Sequence, residues 1–309
     1  MAGLVVIKPG MLTTVQDLGR WGFQDSGVPV AGPMDTYSHR LANRLVGNPD
    51  GAATLEVTLI GPDVEFDGEV RFAIAGAEFP ARLNDTAVPM HRACSAVHGS
   101  RLRFGIRTRG ARAYLAVAGG FDLPLTFGSR ATHLLSAMGP NAGRALASGV
   151  RLPIGQPSRA NAVAGAPLPL PSGGARVRVM WGPQDDYFTE DARATLVTTR
   201  YEITSQSNRQ GYRLRGTPLT HAGSADILSD ATPIGSLQVP ASGQPILLMA
   251  DRQTTGGYPK IATVVTADLP LAGQLAPGEW IEFEACTLAE ARQALVDSER
   301  RLGRPLTGR

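Results

Sequence analysis

Apolar and polar positions alternate over short stretches of this chain, which is the pattern of β-strands that bury one face. Turn residues separate the stretches: residues 4–7 are followed by Pro9-Gly10, and residues 79–83 are followed by Asn84-Asp85. Spacing of this kind is typical of barrels and sandwiches. The pattern therefore predicts a mainly β fold.

Two helices interrupt the β pattern. Asp35 can cap a helix over residues 36–46, because a carboxylate just before the first turn accepts from its free N–H groups. Thr287 and Glu290 form a capping-box pattern for a last helix that ends near residue 302. The fold class predicted is mainly β with a few helices.

A change in composition predicts two lobes. Residues 156–174 are rich in Pro, Ala, Gly and Ser and almost free of charge, which is typical of a linker or an extended crossover. We expect an N-terminal β-rich lobe over residues 1–155 and a C-terminal lobe over 175–286. A helix and tail follow over 287–309.

The length and charge leave the function open but argue against nucleic acid. The chain has 309 residues, enough for one large or two ordinary domains, and a net charge of +3. Of its 30 basic residues only Lys8 and Lys260 are lysines, a skew that indicates coding bias toward arginine more than selection for phosphate contacts. We expect no nucleic-acid partner.

Several common sites have no matching motif. The two cysteines, Cys94 and Cys286, cannot form a disulfide framework, and no apolar run approaches the roughly 18 residues of a membrane span. The five histidines lack metal-ligand spacing, and neither a Met-Lys-Met biotin acceptor nor a phosphate loop occurs. We expect a cytoplasmic chain with no membrane contact, no metal site and no attached biotin.

The segment over residues 251–260, DRQTTGGYPK, is the most informative part of the chain. It lies between two apolar runs, residues 246–250 and 261–265, so the pattern predicts a hairpin with a polar tip. Gly256 and Gly257 would let the backbone take positive φ and approach another group closely. A ligand site and a solvated hairpin tip both fit this pattern.

A second polar stretch lies upstream. Asn208 and Arg209 follow a predicted strand over residues 201–204, where an amide and a guanidinium could hold a carboxylate, an amide or a phosphate. The simpler alternative is a turn with a salt bridge.

These blocks resemble a known family. The stretches TVQDLGRWG, GVPVAGPMD, SNRQGYRL, QVPASGQPI and DRQTTGGYPKIATV are similar to the allophanate hydrolase subunit 2 family, also called the biotin-dependent carboxyltransferase family. The resemblance runs from about residue 4 to 283 with its blocks in order. It implies a cyclophilin-like β-barrel architecture.

The resemblance also implies partner chains. Family members pair with a subunit 1 protein that is similar to the B subunit of 5-oxoprolinase, which leads us to expect a heterotetramer. With a third chain similar to the A subunit of that enzyme, they are assigned to ATP-dependent opening of 5-oxoproline to glutamate. We predict this function first, with ATP as co-substrate of the complex. Without a phosphate loop here, the ATP site would lie in a non-standard pocket or on a partner.

Two alternatives come from the same family. In fused relatives the pair forms the carboxyltransferase half of a biotin-dependent urea carboxylase, in which carboxybiotin gives its carboxyl group to urea. A third use is regulatory: one member antagonises an inhibitor of a histidine kinase and is not an enzyme in that role.

Site roles follow from the chemistry of a small amide at the positions that match the family's motifs. Preplaced donors must polarise the carbonyl, for which Arg209 is the catalytic candidate, and a proton must move, for which Asp251 or Tyr258 is nearest. The substrate-binding candidates are Asn208, Gln238, Gln253, Thr254, Thr255, Gly256 and Gly257.

Three further residues are secondary candidates. Lys260 closes the polar segment, and Gln16 and Asp17 precede a Gly/Pro-rich stretch where they could face the partner chain. Turn chemistry is the alternative explanation for the N-terminal residues.

Overall fold

The computed structural model describes residues 2–157, 162 and 165–303. Two compact units make up the chain. Unit 1 consists of Met1–Arg20, Ala31–Leu170 and Glu299–Arg309, and unit 2 of Trp21–Val30 and Pro171–Ser298.

The described residues contain twenty strands and five α-helices. The strands are β1 (Gly3–Lys8), β2 (Leu12–Gln16), β3 (Thr54–Thr58), β4 (Asp63–Asp67), β5 (Val70–Glu78), β6 (Ala81–Leu83), β7 (Thr86–Val88), β8 (Ala93–Ala96), β9 (Arg101–Phe104), β10 (Arg109–Val117), β11 (Arg151–Pro153), β12 (Gly174–Trp181), β13 (Tyr201–Ile203), β14 (Gly211–Arg215), β15 (Asp230–Ala231), β16 (Ser236–Gln238), β17 (Ile246–Leu248), β18 (Thr255–Gly256), β19 (Lys260–Val264) and β20 (Trp280–Ala285). The helices are α1 (Thr36–Leu45), α2 (Pro140–Gly143), α3 (Glu190–Thr198), α4 (Leu269–Gly273) and α5 (Leu288–Arg301).

Unit 1 contains two antiparallel sheets, in the orders β11-β1-β4-β9-β6-β7 and β2-β3-β10-β5-β8. Alternation buries one face of each strand: in β1, Leu4 and Val6 are buried while their neighbours are partly exposed. These side chains join Phe66 of the first sheet and Phe72 of the second in one hydrophobic cluster. The two sheets of unit 1 therefore share a core.

Helix α1 covers part of the second sheet in unit 1. Tyr37 and Leu41 on its inner face belong to a cluster with Ala73 of β5 and Tyr114 of β10. Asp35 caps the helix by accepting a hydrogen bond from the Ser38 backbone N–H at 2.8 Å. The predicted helix is confirmed.

Unit 2 is built on a closed seven-stranded barrel with the order β12-β19-β16-β17-β14-β13-β20. The first and last strands in the chain pair in parallel, from Gly174 opposite Trp280 to Val179 opposite Ala285, and this pairing closes the barrel. The predicted mainly β fold with a barrel is confirmed. The last helix is also confirmed, and its capping box is present: the Thr287 N–H donates to a Glu290 carboxylate oxygen at 2.7 Å.

The predicted hairpin around residues 251–260 is wrong. Strands β17 and β19 do not pair with each other. Both pair with β16, through Leu237 opposite Leu247 and Ser236 opposite Thr263. The polar segment thus crosses the end of an earlier strand that inserts between the two apolar runs.

The units differ from the lobes expected from sequence. Residues Trp21–Val30 belong to unit 2, and residues from Glu299 onward belong to unit 1. The expected ranges stay a prediction. Part of the linker prediction, at residues 158–161, 163 and 164, and the predicted tail at residues 304–309 lie outside the described residues. None of the described helices is long and apolar enough to cross a membrane.

Candidate functional site

A polar cavity of about 310 Å³ lies in unit 2. Its lining residues come from the turn before β14, from the barrel strands β14, β16 and β17, and from the polar segment. They are Asn208, Gln210, Gly211, Arg213, Gln238, Ile246, Leu248, Gln253 and Tyr258. Four of the predicted site residues, Asn208, Gln238, Gln253 and Tyr258, therefore meet at one cavity.

The turn before β14 is fixed by its own side chain. Asn208 Oδ1 accepts hydrogen bonds from the backbone N–H groups of Gln210 at 2.8 Å and Gly211 at 3.4 Å. This local turn, favoured by a short amide side chain, leaves the Asn208 amide nitrogen as a donor on an exposed residue. It also sets the direction of Gln210.

Three glutamine side chains form a chain of hydrogen bonds at the cavity. Gln210 Nε2 donates to Gln253 Oε1 at 3.4 Å, and Gln253 Nε2 donates to Gln238 Oε1 at 3.2 Å. Gln238 Nε2 then donates to the Tyr258 carbonyl oxygen at 3.4 Å. All donors run in one direction, so each bond polarises the next. Each amide nitrogen still carries a second N–H.

Gly256 makes room for this chain. A Cβ placed on Gly256 would lie 2.6 Å from Gln238 Nε2 and 3.2 Å from Gln253 Nε2. The expected close approach is present at Gly256, whereas a Cβ on Gly257 would meet nothing nearer than the Ile227 carbonyl at 3.5 Å. The expected positive φ is absent at both residues. The strand pairing of β18 holds this backbone extended instead.

Arg209 and Asp251 form a buried ion pair. Arg209 Nε and Nη2 donate to the two carboxylate oxygens of Asp251 at 3.0 and 2.9 Å. Their side chains are only 5% and 7% exposed, and neither contributes to the described lining of the cavity. In this arrangement Arg209 cannot touch a carbonyl in the cavity, and both Asp251 oxygens are occupied. The salt-bridge alternative for Arg209 describes what the structure contains.

Two ionisable side chains remain at the cavity. Tyr258 is 40% exposed and lines it, as does the exposed Arg213 on β14. Of the two predicted proton carriers, Tyr258 is the one that reaches the cavity.

Thr254 and Thr255 lie outside the described lining. The Thr254 carbonyl accepts from the Thr232 N–H at 3.1 Å, and Thr255 pairs with Ala231 between β18 and β15. Thr254 instead contributes to a second cavity of unit 2. The two threonines therefore anchor the segment to β15.

Lys260 is buried beside an acid rather than at the cavity. Its side chain is 2% exposed, and Nζ lies 2.8 Å from Asp230 Oδ2. The Lys260 hydrogen bond is the first cause that lowers the pKa of the Asp230 carboxyl. The pair ties β19 to β15.

Gln16 and Asp17 are internal residues of unit 1, and the expectation that they face a partner is wrong. Gln16 is fully buried and donates to Thr14 Oγ1 and the Thr132 carbonyl at 3.0 and 3.1 Å. Asp17 accepts from the Gly19 N–H at 2.9 Å and from Ser129 Oγ at 2.5 Å. Both side chains hold a loop against β2, as turn chemistry explains.

Two lining residues, Gln210 and Arg213, are absent from the residues predicted from sequence. Both lie in the polar stretch around Asn208, and Gln210 follows it by two residues, which is the spacing of an Asx turn. That turn was the available signal. Within the ranges that the structure describes, no group of three His, Cys, Asp or Glu side chains could hold a metal ion.

Comparison with known proteins identifies the family. The family model for the carboxyltransferase domain, subdomains A and B, matches residues 26–285. The chain belongs to this carboxyltransferase family. It is 42% identical to the C subunit of 5-oxoprolinase from Escherichia coli over 96% of both chains. Identity to the C subunit of 5-oxoprolinase from Haemophilus influenzae is 38%, over 90% of this chain and 89% of the relative.

Solved structures agree with this assignment. The urea amidolyase of K. lactis superposes with a TM-score of 0.92 at 32% identity, over 97% of this chain. The match covers 20% of that longer protein.

Proposed function

We propose that this chain is one component of a multi-chain, ATP-dependent 5-oxoprolinase, which opens 5-oxoproline to glutamate. The observation that carries the proposal is the full-length similarity to two chains that are each named as the C subunit of 5-oxoprolinase. The polar cavity of the barrel is the proposed site for the lactam.

The glutamine chain suits a lactam carbonyl. Its spare N–H groups can donate to the carbonyl oxygen as charge develops there, which is the usual role of preplaced neutral donors. Ile246 and Leu248 supply an apolar wall for the ring methylenes. The cavity thus combines a polar end with an apolar side, as small-molecule sites commonly do.

Tyr258 is the proposed proton carrier at this cavity. When the C–N bond of the lactam breaks, the ring nitrogen must gain a proton, and a phenol at the cavity can supply it. Asp251 and Arg209 are proposed to position the turn and the segment that carry Asn208 and Gln253. We assign them no contact with substrate.

The nucleotide and the remaining groups are proposed to come from partner chains. A relative whose name marks it as one lettered component of 5-oxoprolinase implies further components. We propose a subunit 1 protein, similar to the B subunit of 5-oxoprolinase, as the direct partner in a heterotetramer. A third chain similar to the A subunit completes the enzyme, and the ATP site is proposed to lie outside this chain.

The test is turnover by the co-purified chains. We expect glutamate to form from 5-oxoproline only when ATP and all partner chains are present. Gln253→Leu, which removes a central link of the glutamine chain, should lower turnover about a hundredfold. Gln293→Leu is the matched control, because Gln293 is exposed on α5 and bonds only to Asp297 among the described residues. Equal turnover by both variants would place the active site elsewhere.

A second candidate function is the transfer of a carboxyl group from carboxybiotin to urea. It is supported by the similarity to urea amidolyase over 97% of this chain. Urea is also a small amide, so the same donors fit it. The same preparation, given urea, ATP and a biotinylated carrier with its carboxylase, would consume urea under this alternative and leave it unchanged under the first.

A further inference from the structure

A second cavity of about 210 Å³ lies in unit 2. One side comes from the segment Trp21–Val30 and the other from residues next to β15 and within the polar segment. Gln253 borders both this cavity and the one that holds the glutamine chain. None of the side chains that line the second cavity, within the described residues, is acidic.

Arg252 is a buried cation at this cavity without an acidic partner. The residue is 8% exposed, and its Nε donates to the Thr232 carbonyl at 2.7 Å. Neither Nη atom donates to any residue that the structure describes, and no described carboxylate forms an ion pair with the guanidinium. Burial lowers the pKa of Arg252 to about 10, so the group is still charged at neutral pH.

The neighbouring Arg209 shows what a buried arginine requires. It is equally shielded but has both Asp251 oxygens as acceptors. A buried charge without such a partner is costly, because the water that solvated it is not replaced. The unused Nη groups of Arg252 therefore require an acceptor from outside the described chain.

Gln24 adds a second donor. Its Oε1 accepts from the backbone N–H groups of Gly22 at 2.7 Å and Phe23 at 3.0 Å, which fixes the orientation of the side-chain amide. The NH₂ group is left as a donor at the cavity. Trp21, which is 59% exposed, adds an aromatic wall. The site offers donors, one positive charge and an apolar surface.

We propose that this cavity is a binding site for a small carboxylate anion, with Arg252 as its anchor. One guanidinium fork matches a carboxylate in charge and in geometry. A phosphate group carries more charge and would call for further cations, which the described lining lacks. The choice of ligands rests on the proposed function, since both 5-oxoproline and glutamate carry a carboxylate.

The test measures binding to the isolated full-length chain, so that it does not depend on turnover. L-glutamate, 5-oxoproline, 2-pyrrolidone and inorganic phosphate are titrated by calorimetry, and thermal melts are recorded with each. We expect at least one of the two carboxylates to bind and raise Tm with saturation. 2-Pyrrolidone, a lactam without a carboxylate, should show no Arg252-dependent binding. Binding of phosphate alone, or of no carboxylate, would overturn the proposal.

Variants assign the binding to Arg252. Arg252→Met keeps most of the side-chain volume and should lower carboxylate affinity about tenfold or more. Arg252→Lys keeps the charge but loses the fork, so it should also bind more weakly, and it serves if the Met variant does not fold. Arg215→Met is the control for net charge, because Arg215 is exposed and pairs with Glu202. Parental affinity in both Arg252 variants would contradict the assignment.

Discussion

At the scale of single residues, two adjacent glycines in the polar segment have unequal surroundings. A methyl group on Gly256 would press on the Gln238 and Gln253 amides, whereas one on Gly257 would make only an ordinary contact. Gly256→Ala should therefore lower turnover by the assembled complex about tenfold or more, because the glutamine chain must shift. Initial rates with 5-oxoproline would measure this.

Gly257→Ala is the matched control for that substitution. Neither glycine has a φ in the left-handed region, so an added Cβ causes no backbone strain at either position. We expect Gly257→Ala to keep nearly the parental rate. If both variants turned over alike, the packing around Gly256 would have no role in catalysis.

The buried ion pair gives a stability prediction. Arg209→Met leaves the Asp251 carboxylate buried and without its guanidinium partner, which should lower the free energy of unfolding by about 3–5 kcal/mol. Replacing both residues, as in Arg209→Met with Asp251→Leu, should recover much of the loss because no charge is left uncompensated. Urea unfolding followed by circular dichroism measures both, and an unchanged midpoint for the single variant would contradict the prediction.

Part of the site was predictable at this scale. Asn208 and Gln253 are polar residues beside apolar strands, and such residues often meet a ligand. The exclusion of Arg209 and Asp251 from the cavity was not predictable. Whether two charges face a ligand or each other depends on the pairing of β14 with β17, which brings residues 42 positions apart together.

At the scale of elements, the start of α1 depends on one carboxylate. Asp35 accepts from the Ser38 N–H at 2.8 Å and from Ser38 Oγ at 2.6 Å. Asp35→Ala should lower the free energy of unfolding by about 1–2 kcal/mol, the usual loss for a helix cap. Asp35→Asn can still accept at this position, so it should retain most of the stability. Equal midpoints for the two variants in urea would show that the cap contributes nothing.

The elements also show where sequence patterns succeed and fail. Both helices with capping signals were found, because a cap is a local interaction. The hairpin around residues 251–260 was wrong because neighbours in sequence usually pair, yet here β16 inserts between β17 and β19. Such an insertion depends on how the barrel closes, and no local pattern records it.

At the scale of the whole molecule, one buried histidine should shape the response to acid. His39 is fully buried, with Nδ1 2.9 Å from Thr54 Oγ1 and Nε2 3.0 Å from the Asp50 carbonyl. Burial lowers its pKa from 6.5 to about 4. Between these values the unfolded chain binds a proton that the native chain does not, so the native state loses stability as the pH falls.

The expected loss between pH 6.5 and 4 is about 3 kcal/mol from this residue. Urea unfolding at several pH values measures it. His39→Gln removes the titrating group and should flatten the slope over this window, even if it lowers stability at pH 7. A variant with the parental slope would show that other groups cause the acid sensitivity.

The assignment of Trp21–Val30 to unit 2 has a consequence for synthesis on the ribosome. This segment emerges early, but the rest of unit 2 begins only after residues 31–170 have been translated. At about 5–20 residues per second, that delay is roughly seven to thirty seconds. The nascent chain must hold the Trp21 side of the second cavity without its counterpart during this time. A gene fragment that starts at codon 171 would encode the barrel strands and Arg252 but omit Trp21 and Gln24 altogether.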